Sequence, residues 1–157
     1  MNRLICFLVA LFAFNFTTSQ LFAQWTSQHV KADPLTKTEE HYIDVYMAEN
    51  GDYFMSRSHH DGISIYTSDG FFNFDTTSHV HVVVGFYVGQ NLIERKDVWL
   101  YVPAEDPEYA STNRYKQKKI GRKIKDHLRA KGSIKIIADR YSKSNFEITI
   151  PMNPNIK

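Results

Sequence analysis

Histidine is the side chain best placed to do chemistry near neutral pH, and this 157-residue chain has seven. His79 and His81 stand two apart in a stretch, Ser78 to Val88, that alternates like a β-strand. Both therefore project from one face and could share a transition-metal ion. His59-His60-Asp61 precedes a turn and could bring a third or fourth ligand, His59 first among them. The plainer reading of the same residues is a set of solvated histidines on polar faces. Ser, His and Asp are all present, but none sits in a nucleophile elbow. Glycine-rich phosphate loops are missing, and no cofactor is called for. The acid pairs Glu39-Glu40 and Glu105-Asp106 fall in expected loops. The sequence therefore shows no catalytic frame, and the expectation is a protein that is not an enzyme. The rival is a metal-dependent enzyme or metal-binding protein using His79 and His81 with His59 and His60.

A second group is electrostatic. Between Arg114 and Lys131 lie nine cations against one acid, Asp126. The overall charge of +2 hides an asymmetry: residues 24–113 carry net −9 and residues 114–157 net +10. Lys118, Arg122, Lys125 and Arg129 recur at steps of three and four, on one face of a helix. They are the expected contacts to an unidentified protein, an anionic polymer or a membrane surface. The alternative is a solvated helix whose charge is balanced by the acidic strands of its own fold. DNA is not an expected partner, because the segment matches no groove-binding motif.

The elements that position these groups are mainly strands. Val80, Val82, Val84, Phe86 and Val88 make one apolar face of the central strand, opposite His79, His81, Val83, Gly85 and Tyr87. Before it, His41 to Ala48 alternates, and Asn50-Gly51 turns the chain into a partner strand over Asp52 to Ser58. Asp61-Gly62 and Asp69-Gly70 bracket a short strand at Ile63 to Thr67, and Phe71 to Phe74 follows. Gly89-Gln90-Asn91 reverses the central strand into Asp97 to Val102, stopped by Pro103. Pro103 to Asn113 reads as a surface loop. Ile120, Ile124 and Leu128 then recur every four residues and Gly132 closes a helix over 113–131, with Gly121 a weak point inside it. Ser133 to Asp139 and Phe146 to Ile150 form a last hairpin, with Pro151 and Pro154 ending the ordered chain. Tyr42, Tyr46, Tyr66, Tyr87 and Tyr101 fall opposite the apolar faces or alternate with them. Such a row can stack on sugars or meet a protein, or it can line a second sheet, which a sandwich requires.

The first 23 residues read as a secretory signal peptide. Met1-Asn2-Arg3 supplies a positive start, Leu4 to Phe14 is an apolar run of eleven residues, and Leu21-Phe22-Ala23 precedes the cut. A bilayer takes about 20 apolar residues, so the run is too short to span one. Cys6, the one cysteine, lies inside that run. Residues 24–157 are then a single domain without disulfides, exported to the periplasm or the medium.

The order of anchors resembles a family of small exported proteins associated with type VI secretion, found in the periplasm. The anchors are Trp25, Asp33-Pro34-Leu35-Thr36, Ile63 to Thr67, Phe71 to Phe74, Phe86-Tyr87, Trp99, Ile124 with Leu128, Ile134-Lys135-Ile136-Ile137 and Phe146-Glu147-Ile148. The resemblance implies a compact β-sandwich with one helix and an accessory or interaction role. The chain departs from that pattern in lacking an early cysteine, in the basicity of its helix and in a longer loop before it. The expected fold is an antiparallel β-sandwich of seven to nine strands, or a closed barrel, with one amphipathic basic helix near the C-terminus.

Overall fold

The computed structural model describes residues 23–112, 118–141 and 144–157. The expected leader with Cys6, apart from Ala23, and the first part of the expected helix with Arg114 and Lys116, lie outside these residues. Among the described residues no helix is long and apolar enough to cross a membrane.

Among the described residues the protein is mainly β, with nine strands and one helix. In chain order these are β1 (Gln24–Val30), β2 (His41–Met47), β3 (Tyr53–Arg57), β4 (Gly62–Tyr66), β5 (His79–Val88), β6 (Asn91–Tyr101), β7 (Tyr109–Ser111), α1 (Lys118–Ala130), β8 (Ser133–Ala138) and β9 (Phe146–Ile150). A single 3-10 turn, His59–Asp61, links β3 to β4. All pairings are antiparallel, in the order β1-β2-β3-β4-β7-β6-β5-β8-β9, and the sheet does not close into a barrel. Its two halves are β1-β2-β3-β4-β7 and β6-β5-β8-β9. They meet through one residue pair, Tyr101 with Ser111. The sheet folds over at that seam, so that β9 packs across β3 and both halves share one core. The layers face each other as in a sandwich, with the corner left hydrogen-bonded.

The period-two pattern explains the core. Val80, Val82, Val84 and Phe86 are buried on β5, as are Ile134, Ile136 and Ala138 on β8 and Phe146, Ile148 and Ile150 on β9. Val88 departs from the row and is exposed, because the β5–β6 register shifts at Phe86/Tyr87. The turn glycines Gly51, Gly70 and Gly89 all have positive φ, as their turns demand.

Several expectations change. The short β7 lies inside the expected Pro103–Asn113 loop, Phe71 to Phe74 makes only an isolated bridge at Phe72, and residues 24–30, which had no assignment, form the edge strand β1. Strand β6 starts at Asn91, six residues before the expected one. On β2 the core side carries Asp44 and Tyr46, while Ile43, Val45 and Met47 lie outside. The tail after Pro151 is also packed: Ile156 is buried, and the Lys157 amide donates to the buried carboxylate of Asp44 at 2.8 Å. That charge-assisted bond explains how an aspartate tolerates the core side of β2.

Helix α1 lies across the seam. Ile124 and Leu128 are fully buried. A side chain at Gly121 would overlap the Asp61 carbonyl, and one at Gly132 would overlap the Tyr87 carbonyl. Both glycines are therefore where they are because backbone approaches backbone.

Candidate functional site

The basic helix is clasped by acids from both halves of the sheet. Asp61, in the strained turn where His60 and Asp61 both have positive φ, accepts from Lys125 at 2.6 Å and from Arg122 at 3.0 Å. Lys125 is only 5% exposed and also donates to the Arg57 carbonyl at 3.4 Å. Burial would raise the Asp61 carboxyl, but the Lys125 and Arg122 bonds outweigh it and hold it below the usual aspartate range. Lys123 pairs with Glu94 at 2.5 Å, and with Lys96 keeps that carboxyl low as well. Arg129 bonds the Ile156 carbonyl and Asp126.

Of the four residues on the expected contact face, Lys118 opens the helix, and Arg122 and Arg129 point outward. Lys125 turns inward and is spent on the fold. It stands at the border of the buried stripe, and the absent side chain of Gly121 lets the helix sink close enough for it to reach Asp61.

The histidines do not gather. His79 donates from Nδ1 to the Thr77 carbonyl at 2.7 Å and sets its ring edge-on to Tyr101. His81 donates from Nε2 to Asp97 at 3.0 Å and lies beside Trp99. Because Asp97 pairs with Val83 and Thr77 precedes the strand, the two rings lean in opposite directions along β5. His59 and His60 touch each other at the far turn, with His59 paired to Glu39 at 3.1 Å. Among the described residues no three His, Cys, Asp or Glu side chains are grouped to hold a metal ion. His127 is buried and donates from Nε2 to the Tyr87 and Ser133 carbonyls, a structural role that fixes the helix to β5 and β8.

The tyrosines divide between the two sides of the sheet. Tyr46 is buried, packed beside Trp25, and burial raises its hydroxyl above the usual range. Tyr53 and Tyr66 stack at 4.7 Å on the outer face of β3 and β4, where burial pushes Tyr53 up to about 12. Beside them Tyr109 bonds the buried Ser64 at 2.5 Å. This network satisfies itself and presents no nucleophile with a base.

Exposed aromatic side chains lie on β6 and at the Phe72 bridge. On the outer face of β6, Trp99 is 50% and Tyr101 40% exposed, opposite His81 and His79. Phe71, Phe74 and Tyr141 are exposed at the bridge where Phe72 pairs with Arg140. The Asn73 amide bonds the Asp139 carbonyl and the Asp75 amide bonds the His79 carbonyl, which ties that bridge to the same end of β5. Five large exposed rings thus lie on segments that the backbone ties to the His79 end of β5 and β6. Asp97 and Arg95, paired at 3.3 Å, border them.

In the sequence Tyr101 falls off the apolar faces, and Trp99, in the same expected strand, alternates with Val98, Leu100 and Val102 as Tyr101 does. The contribution of Phe71, Phe74 and Tyr141 had no such signal, because it depends on a bridge between residues 68 apart. No family profile, curated protein or solved structure matches the chain.

Proposed function

We propose that this chain is an exported, non-enzymatic binding protein that holds a macromolecular partner on its aromatic end. The observation carrying this reading is the gathering of five exposed rings at the His79 end of β5 and β6. Single exposed apolar residues are ordinary, whereas grouped ones bordered by polar side chains mark interaction surfaces. Tyr and Trp contribute large contact area at small entropic cost, and they stack equally on sugar rings and on protein. The accessory role implied by the likeness to small exported proteins fits this reading. The leader supports export.

Partner binding through the helix instead has less to work with, since Arg122, Lys123, Lys125 and Arg129 already have acids of this chain beside them. Capture on immobilised neutral polysaccharides, on immobilised envelope proteins and on heparin separates the two surfaces. Trp99→Ala with Tyr101→Ala should abolish capture on the first or second matrix, costing about 2 kcal/mol or more. Arg122→Glu with Arg129→Glu should leave that capture unchanged. Capture on heparin alone, lost in the arginine variant, would move the binding surface to the helix.

A further inference from the structure

An open sheet has two edges, and this one treats them differently. Natural edge strands are blunted by charge, proline, bulges or shortness, because their free N–H and C=O groups recruit further strands. The edge at β9 carries Glu147, paired with Lys135 at 2.6 Å, and runs straight into Pro151. The edge at β1, Gln24-Trp25-Thr26-Ser27-Gln28-His29-Val30, has no Lys, Arg, Asp, Glu or Pro. It is seven residues long and pairs with β2 in unbroken register, with no bulge. Among the described residues its backbone bonds to nothing except β2. The groups of alternate residues on its other side therefore point outward without a partner among the described residues.

We propose that β1 is a self-association edge, and that its occupant is β1 of a second copy of this chain, antiparallel about a two-fold axis at Ser27. A two-fold contact sets the same patch against itself, so it requires a strand that tolerates its own reverse. This strand does. The axis opposes Ser27 to Ser27, Thr26 to Gln28, Trp25 to His29 and Gln24 to Val30, and no position sets like charge against like charge. The strand is neutral in a chain that is 23% charged, whereas the surrounding halves are strongly acidic or basic. A neutral self-pairing segment is what lets two copies of so polar a molecule approach.

Side-chain placement agrees. Trp25 is only half-buried, and Ser27 and His29 are exposed on the core side, because β1 overhangs the layer beneath it. His29 stacks one face on Tyr42 at 4.6 Å and donates from Nε2 to Glu40 at 2.7 Å, so Trp25 of the second copy would meet the remaining face of the ring. The dimer would join two sheets into one of eighteen strands. None of the five exposed rings is on β1, so the proposal does not rest on what they bind.

Sedimentation equilibrium of the purified protein over a range of concentrations tests this. The wild-type protein should dimerise. Thr26→Lys with Gln28→Lys places lysines opposite lysines across the axis and should weaken the dimer by roughly 100-fold. Thr26→Glu with Gln28→Glu should do the same. An equimolar mixture of the two variants should recover the dimer as a heterodimer, which also shows that both are folded. Wild-type protein that stays monomeric would overturn the proposal and leave the edge to a strand of a different chain. A dimer indifferent to the lysine variant would overturn it too, as would variants that fail to restore each other.

Discussion

Asp61 is where a single residue carries the most. It sits in a turn with two consecutive left-handed non-glycine residues, and it neutralises the buried Lys125. Removing one partner of a buried ion pair leaves the other charge stranded. Asp61→Asn should therefore lower unfolding free energy by about 3 kcal/mol in urea titration. Adding Lys125→Met should return much of that loss, because the stranded charge is then gone. The pH dependence follows from the same group. Its folded pKa lies below the ordinary 3.8, so the unfolded chain takes up a proton that the folded one refuses. Stability from Asp61 is complete above that ordinary value and is lost as pH falls through the lower folded value. Wild-type protein should show this acid loss, and Asp61→Asn should show less of it.

Helix α1 shows what a sequence can and cannot reveal about an element. Ile124 and Leu128 announce the buried stripe, and both are fully buried. Gly121 reads as a weakness from propensity alone, but the turn at Asp61 lies against it. Gly121→Ala gains about 1 kcal/mol in helix propensity and loses more to backbone overlap, so thermal melts should show net destabilisation. The central strand was legible because ten residues alternate with β-branched and aromatic side chains. β1 was not: an edge strand buries little, so its sequence carries no apolar period, and its pairing with β2 supplies the structure instead. β7 has three residues, too few for a period to register. On β2 both faces carry apolar or aromatic side chains, and only the packing of the second layer decides that Tyr46 and Asp44 go inward. The histidines illustrate the same limit at the site. Spacing put His79 and His81 on one face, but Thr77 and Asp97 draw their rings apart.

For the whole molecule, the division of charge between residues 24–113 and residues 114–157 finds an internal use. Asp61 from one half of the sheet and Glu94 from the other both bind the helix. The tail completes the span, from Leu128 and Arg129 through Ile156 to Asp44 on β2. Ile156→Ala should cost about 3 kcal/mol by opening a cavity where helix, tail and β2 meet, measured by chemical denaturation. Tyr101 with Ser111 is the narrow rib of the sheet between its two halves, and beside it the Phe71–Asn73 backbone bonds to Pro107, Asp139 and Tyr141. Hydrogen exchange should therefore show the Tyr101–Ser111 rib opening before the strands on either side. The strap of α1 and the tail is then what sets how often the two plates part, and with them how often the buried Phe54 and Phe146 see water.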